Sequence, residues 1–429
     1  MSSLKAVRGT RDLLPPETAL WNRIEATARD VFARYNFGEI RTPVFEDTTL
    51  FSRSVGEETD IVSKEMYTWE DRARAQSEKS QSLTLRPENT AGVVRAYIEH
   101  KLGETGQLQK LYYIGPQFRR ERPQKGRYRQ FSQIGAEVIG PPSAGSESPL
   151  RDAEVLEMLA TLLDELGITG WTLEINSVGS SADRARYNEV LRTALVSVAP
   201  RMCTDCQRRA VTNPLRVLDC KVPEDQPIIE TLPKISDSLD DASKEHFAAV
   251  TAALDAAGVP YKRNHRLVRG LDYYTRTTFE FTHGGLGAQN ALLGGGRYDG
   301  LSEAIGGPKA PGIGFAMGED RLVLTLQALE ASNPEKVDAY IAPLGESLNP
   351  AALSLARQLR RAGLSVELGD GSFRLKKSFD AADKTARRIV IMGEDELQSG
   401  ILTVKDFSTG IQTKVPRAAL AAHLAKPEV

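Results

Sequence analysis

Apolar residues at Leu20, Trp21, Ile24, Ala28, Val31, Phe32 and Tyr35 recur at helical spacing. That pattern predicts an amphipathic helix opening after Pro15 and Pro16 and closing at Asn36 and Gly38. GEIRTPVF follows as a short strand interrupted by Pro43, whose missing N–H suits an edge or an interface better than a sheet centre. KEMYTWE and LTLRPE, flanking the polar stretch DRARAQSEKSQS, predict a hairpin with a solvated loop. Asn89 or Thr90 is placed to cap the next helix, AGVVRAYIEHKL, which Gly103 closes. Two longer strands, LYYIGPQFRRE and QFSQIGAEVIG, flank the basic loop RPQKGRYR, and the linker PPSAGSESP leads into a helix over 151–166.

In LVRGLDYYTRTTFEF (267–281), Thr275, Thr277, Phe279 and Phe281 alternate with Arg276, Thr278 and Glu280. The alternation predicts a strand with Arg269, Asp272, Tyr273 and Tyr274 clustered at its mouth, where pockets form. Residues from about 177 to 260 pattern as mostly helical and read as a module inserted into the sheet. GGGRYDGL then makes a Gly-rich turn, and GIGFAMGEDRLVLTLQAL runs from strand to helix. The pattern changes at SNPEKVD. From Val337 onward short strands alternate with helices, one of them with Ala352, Leu355, Ala356 and Leu359 on a single face, as in a small α/β domain. The fold class expected is therefore α+β: an antiparallel-sheet unit over 1–330 with a helical insertion at about 177–260, followed by an α/β unit over 331–429.

The chain has 429 residues, 41% of them hydrophobic, enough for real cores. Its 55 Lys+Arg nearly cancel 57 Asp+Glu, so a polyanion must be gripped by local basic patches rather than by the field of the whole molecule. No apolar run reaches the ~18 residues of a membrane span, and MSSLKAVRGTRDLLPP has no apolar signal core, which makes the cytoplasm the expected compartment. Cys203, Cys206 and Cys220 are too few for a disulfide scaffold. Their spacing resembles part of a zinc site, but His246, the nearest following histidine, lies outside the usual spacing. Free thiols in a local turn are expected, and no metal ligand is assigned.

Chemistry concentrates on two strands. Along SQIGAEV, Gln133, Gly135 and Glu137 share one face while Ile134, Ala136 and Val138 share the other. The first face carries an amide and a carboxylate with a glycine between them, a hole about one side chain wide; a solvent-facing edge is the plain alternative. On the partner strand Gln117, Arg119 and Glu121 share a face, and a guanidinium there suits a carboxylate or phosphate. The window RRERPQKGRYR holds six basic residues against one acid and includes Tyr128, a composition that fits either a solvated tip or contact with a nucleic-acid end. GETGQLQK lacks the Lys-Ser/Thr pair of a phosphate loop, GIGFAMG misses the dinucleotide spacing, and HExxH and GxSxG do not occur.

GEIRTPVF with Pro43, FRRE at 118–121 and GIGFAMGEDR at 312–321 resemble, in order, the three signature motifs of class II aminoacyl-tRNA synthetases. LVRGLDYYT and GGGRYDG resemble the two signatures of the histidyl-tRNA synthetase family, and the similarity runs over essentially the whole chain, including a C-terminal domain like that family's anticodon-binding domain. The resemblance implies activation of L-histidine with ATP and its transfer to the 3′ end of the cognate tRNA by a homodimer paired through the Pro43 region. It implies that Glu88, Thr90 and Gln133 hold the α-ammonium of histidine, that Glu137 and Tyr274 bind its imidazole, and that Tyr273 and Tyr298 line the pocket. Arg119 would contact the carboxylate and the α-phosphate, Arg321 the γ-phosphate of a bent ATP, and Arg269 the α-phosphate during attack. Arg127 and Glu121 would belong to the ATP site, with Mg2+ carried on the phosphates with help from Glu121.

The chain departs from the family pattern at Asn89, where glycine is usual, at Asp320, where glutamate is usual, and in a long hairpin loop before Ser82. A second reading is a non-catalytic paralogue acting as a subunit of the first enzyme of histidine biosynthesis. Such paralogues tend to lose the arginine–tyrosine signature and the C-terminal domain, and this sequence carries both. A third, a general nucleic-acid-binding protein, explains neither the Gln133/Glu137 face nor Arg321. The basic run Arg374, Lys376, Lys377, Lys384, Arg387 and Arg388 suggests contact of the tail with the anticodon stem, or simply a solvated helix face.

Overall fold

The computed structural model describes residues 4–425 except 57–58, 60, 72–79, 125, 287–289 and 330–335. Most of the polar hairpin loop, Lys125 of the basic loop and part of the SNPEKVD break thus lie outside the described residues. The chain forms two compact units, Met1–Ala331 and Ser332–Val429.

The first unit is built on one eight-stranded sheet. Its strands run, edge to edge, Gly38–Glu39, Gln109–Phe118, Gln130–Ile139, Gly312–Gly318, Ala291–Arg297, Thr275–His283, Trp171–Ser177 and Lys262–Arg263. The six central strands are antiparallel and the two-residue edge strands pair in parallel. Register puts Ile134, Ala136, Val138, Ile313, Phe315, Met317, Phe279 and Phe281 on one face, all buried. The opening helix, Glu17–Arg34, covers that face with Trp21, Ile24, Ala28, Val31 and Phe32. Phe32 meets Tyr112 and Phe315 at ring-centroid distances of 5.0 and 6.2 Å. The helix Pro149–Glu165, capped by Ser148, buries most of its length beside it.

Local sequence explains three differences from the expected elements. GEIRTPVF is not one strand. Gly38–Glu39 joins the main sheet and Phe45–Asp47 joins a separate three-stranded sheet with Gln81–Leu85 and Tyr67–Asp71. Between them the carbonyls of Thr42 and Pro43 accept from the Arg86 guanidinium at 3.0 and 3.3 Å, so Pro43 lies in a pinned crossover. The strand carrying FRRE ends at Phe118, so the shared face expected for Gln117, Arg119 and Glu121 stops at Gln117. Third, the helical insertion has its own core, including Tyr187, Leu191, Leu195, Met202, Val217, Ile229 and Ile235. The helix Asp241–Ala257, expected within it, instead packs Val250 and Leu254 into the main core. The insertion thus closes near residue 239, because the apolar stripe of that last helix matches the Pro149–Glu165 helix.

The second unit is a five-stranded sheet in the order Val366–Leu368, Val337–Pro343, Ala386–Met392, Ile401–Asp406, Gln412–Pro416, the first three parallel. The helix Asn349–Arg361 buries Ala352, Leu355, Ala356 and Leu359 on it. Of the basic run, Arg374, Lys376, Lys377 and Lys384 are exposed. Arg388 is buried, donating to Asp406 at 2.8 Å and to the Leu424 carbonyl at 2.9 Å, so it belongs to this unit's interior rather than to a cationic face. Among the described residues no helix is long and apolar enough to cross a membrane.

On the core face of the first sheet one charged group stands out. Arg297, fully buried, donates to Asp152 at 2.5 Å, to the Ser146 carbonyl at 2.6 Å and to Asp299 at 2.9 Å, while His246 Nε2 meets the other Asp152 oxygen at 2.9 Å. Burial opposes the charge on Asp152, yet Arg297 and His246 together hold its carboxyl below the ordinary range. Truncating Arg297 to Met strands that carboxylate, and we expect a loss of about 3–5 kcal/mol from the first unit. All three tryptophans, Trp21, Trp69 and Trp171, lie in this unit, so their fluorescence during urea unfolding reads it selectively. A loss below about 1 kcal/mol contradicts the assignment.

Candidate active site

The face of the main sheet opposite the core is floored by glycine. Register aligns Glu137, Gly314, Gly296 and Thr278 in one row, and Tyr113, Gly135, Ala316, Gly294 and Glu280 in the next. These glycines let side chains lie flat on the sheet. A Cβ on Gly314 would collide with the Glu137 carboxylate, one on Gly294 would stand 2.5 Å from the Arg269 guanidinium carbon, and one on Gly296 would stand 2.8 Å from the Tyr274 ring. The hole expected between Gln133 and Glu137 is filled by Tyr113, whose hydroxyl lies against Gly135.

At the deep end of this face Glu137 is fully buried. One carboxylate oxygen accepts from the Thr90 hydroxyl and the other from the Tyr298 hydroxyl, both at 2.7 Å. Burial pushes its carboxyl up from 4.5 to about 8; the two hydroxyls oppose the rise and nearby Glu88 adds to it. Glu88, also buried, accepts the backbone N–H groups of Thr90 and Ala91 at 2.7 and 3.1 Å, and burial raises its carboxyl in spite of them. It thereby takes the capping role expected of Asn89 or Thr90. Asn89 occupies the N-cap position of the helix Thr90–Glu99 without a side-chain cap bond, and its Oδ1 accepts from Thr42 at 2.6 Å instead. Tyr273, Tyr274 and Tyr298 close the cluster, with ring centroids 4.7 Å apart for Tyr273–Tyr274 and 6.0 Å for Tyr273–Tyr298.

At the other end the face opens into a cleft of about 530 Å³ lined by Arg119, Glu121, Arg127, Gln133, Arg269, Glu280 and Arg321, among others. Arg119 is fixed by its Nε donating to the Pro87 carbonyl at 2.8 Å and by lying 5.3 Å over the Phe131 ring. Arg321 donates to the Ala291 carbonyl at 2.6 Å. Burial lowers the Arg321 guanidinium from its ordinary value and the neighbouring charges of Arg127 and Arg269 lower it further. Burial opposes the charge on Arg269, but Glu280, with which it pairs, together with Tyr274, Asp219 and Tyr273 keeps the guanidinium raised. Glu121 pairs with Arg127 at 3.0 Å. Asp320, also on the cleft lining, pairs with Arg11 at 2.8 Å and ties the N-terminal segment to the helix Glu319–Leu329.

The fold thus gathers the sequence-nominated residues on one sheet face. Arg119, Glu121, Arg127, Gln133, Arg269 and Arg321 line the open cleft, while Glu88, Thr90, Glu137, Tyr273, Tyr274 and Tyr298 form the packed end. Among the described residues, both amide atoms of fully buried Gln117 and the Oε1 of Gln133 have no hydrogen-bond partner. Buried polar atoms left in that state suit a polar ligand. Tyr113, Gln117 and Glu280 were not nominated as site residues; the glycine runs at 294–296 and at 312 and 314 were the signal that something lies flat against these strands.

A six-stranded antiparallel sheet with arginines grouped in a cleft at one end of a glycine-floored polar face defines a class II aminoacyl-tRNA synthetase core. The Histidyl-tRNA synthetase family profile matches residues 9–322 and an Anticodon binding domain profile matches residues 338–426. The chain is 74% identical over 422 residues to a histidine–tRNA ligase of Koribacter versatilis (98% of this chain, 96% of that one). It is 56% identical over 423 residues to one of Solibacter usitatus (98% and 99%). Among solved structures, apo histidyl-tRNA synthetase of S. aureus matches with a TM-score of 0.78 at 38% identity, covering 99% of this chain and 100% of that one. The chain belongs to the histidyl-tRNA synthetase family.

Glu137 makes folding pH-dependent with a definite sign. Below 4.5 both states carry its proton; between 4.5 and about 8 the unfolded chain releases it and the folded chain keeps it, so this group subtracts stability as pH rises through that window. Unfolding midpoints measured from pH 4.5 to 8 are expected to fall less steeply for Glu137→Gln than for the unsubstituted chain. Parallel pH profiles contradict the buried, protonated carboxyl.

Proposed function

We propose that this protein activates L-histidine with ATP to histidyl-adenylate and transfers the histidyl group to the 3′ end of its cognate tRNA. The observation that carries the reading is the continuity of one glycine-floored sheet face from the Glu137–tyrosine cluster to the arginine-lined cleft. The carboxylates and hydroxyls of the first end are the groups that pair with the polar edges of a ring, and the cations of the second suit a polyphosphate.

On this reading Glu137 and Tyr274 bind the imidazole, Tyr273 and Tyr298 line the ring, and Glu88, Thr90 and Gln133 receive the α-ammonium. Thr90 already donates its hydroxyl to Glu137 and keeps oxygen lone pairs for an ammonium donor, which links the two subsites. A substrate without the imidazole displaces water from the site yet forgoes the hydrogen bonds to Glu137 and Tyr274, a discrimination of about 10⁴ or more. A carboxylate oxygen of histidine attacks the α-phosphorus of ATP, the bond to the bridging oxygen breaks, and pyrophosphate leaves. Arg119 and Arg269 stabilise the charge on the α-phosphoryl oxygens, Arg321 holds the γ-phosphate, and Arg127 with Glu121 completes the ATP site. The terminal ribose hydroxyl of tRNA then attacks the histidyl carbonyl carbon and AMP departs. The Glu121 carboxylate in the cleft is a hard oxygen donor of the kind Mg2+ takes, and Mg2+ on the phosphates would offset their charge.

The second unit is the proposed tRNA-anticodon contact, with Arg374, Lys376, Lys377 and Lys384 presenting charge to the phosphate backbone. We also propose a homodimer paired through the Pro43 region, where Val44, Phe45 and Trp69 are 38%, 52% and 40% exposed. Cytoplasmic residence accords with three cysteines that form no disulfide.

Amino-acid-dependent pyrophosphate exchange into ATP, run with each of the protein amino acids, tests the reading. Histidine alone is expected to support exchange. Exchange with a different amino acid, or none in well-folded protein, refutes it.

A further inference from the structure

The sequence offered three cysteines and looked to a histidine for a fourth metal ligand. The fold supplies a carboxylate instead. Cys203 is the N-cap residue of the helix Thr204–Thr212, Cys206 sits in its first turn, and a tight run through Pro214–Val217 returns Cys220 and Asp225 to the same point. The three sulfurs and an Asp225 oxygen all lie within 4.8 Å of one another. Cys203 and Cys220 sulfurs are 3.9 Å apart, and the Cys220 sulfur is 3.2 Å from Asp225 Oδ2. Cys206, Cys220 and Asp225 are 0%, 4% and 2% exposed. His246 takes no part, being bound to Asp152.

We infer that Cys203, Cys206, Cys220 and Asp225 bind one structural zinc ion. Tetrahedral Zn2+ with metal–sulfur bonds of ~2.3 Å holds its sulfurs ~3.8 Å apart, close to the spacing of Cys203 and Cys220, whereas a disulfide needs ~2.05 Å and leaves a third thiol over. Three thiolates favour zinc over the hard divalent ions, and carboxylate oxygen is an ordinary fourth zinc ligand. The outer contacts that orient metal ligands are present. The Cys203 backbone N–H donates to both Asp225 oxygens at 3.0 and 3.2 Å, and the Val222 N–H points at the Cys220 sulfur at 3.4 Å. Binding releases the thiol protons to solvent, and the Zn2+ offsets part of the charge of the three thiolates and the carboxylate.

The ion gives the insertion a cross-link that its small core otherwise lacks. The segment it closes, 203–225, touches the loop that carries Arg269: Asn213 donates to Asp272 Oδ1 at 3.3 Å and Arg216 to the Gly270 carbonyl at 3.4 Å. The zinc thus stiffens one wall of the cleft from outside the reacting groups. This inference does not depend on the proposed substrate.

Metal analysis of the full chain, purified under reducing conditions from zinc-supplemented cells and passed over a desalting column, is expected to give about one zinc per chain. A mercurial should release it, as read by a metallochromic dye. Asp225→Ala and Cys206→Ser are expected to retain at least about tenfold less zinc after dialysis against a chelator. Should either variant fold poorly, cobalt added to metal-stripped wild-type chain must still produce the thiolate-to-cobalt charge-transfer and tetrahedral d–d bands. Zinc well below stoichiometry with no cobalt bands overturns the inference. So does bound zinc that the two substitutions leave unchanged.

Discussion

A carboxylate buried where water cannot reach it, held by two hydroxyls on a bed of glycine, is the constraint around which the first unit is arranged. Glu137 cannot lie flat unless Gly314 yields the space, and it cannot stay buried unless Thr90 and Tyr298 donate to it. Thr90 is positioned by a helix whose first N–H groups are taken by Glu88. The tyrosines in turn rest on Gly296 and on each other. These supports come from several strands, from the helix Thr90–Glu99 and from Glu88, Tyr273, Tyr274 and Tyr298 in the loops that flank them, so the pocket depends on how the sheet and its connections assemble. Near this polar cluster, among the described residues, buried amide atoms of Gln117 and Gln133 have no hydrogen-bond partner, a state that suits a polar ligand.

The cleft solves the opposite problem. Several guanidinium groups are held in one cleft, where burial and the charges of Arg127 and Arg269 lower that of Arg321, and Glu280 and Glu121 pair with Arg269 and Arg127. Fixed cations of this kind favour a polyanion strongly and need no rearrangement when charge grows on it. Asp320, shorter than the residue usual in the family, is occupied with Arg11 and leaves this balance alone.

Much of this was readable in the residues because periodicity reports directly on burial. The faces of the Gln130–Ile139 strand, the buried stripe of Glu17–Arg34 and that of Asn349–Arg361 follow from spacing. What spacing could not give were relations between distant segments. Tyr113 beneath Gly135, Glu280 against Arg269 and Asp225 beside three cysteines each depend on register or chain reversal, which a local pattern does not encode. Arg388 shows the converse error: within a basic run it looks solvated, yet it is the buried partner of Asp406. The helix Asp241–Ala257 resembled its helical neighbours along the chain, and only the matching surface of Pro149–Glu165 decides that it belongs to the main core.

If bound histidine and Glu137 share a single proton, binding must be coupled to pH in a way that calorimetry can count. At pH 9 a free imidazole, with its ordinary value of about 6.5, is neutral. Glu137, with a value of about 8, is mostly ionised. Forming the pair then takes up about one proton, seen as a dependence of the binding heat on the ionisation heat of the buffer. Glu137→Gln removes that increment while leaving whatever the α-ammonium contributes. Wild type is expected to take up close to one proton more than the variant at pH 9; equal counts would contradict the account.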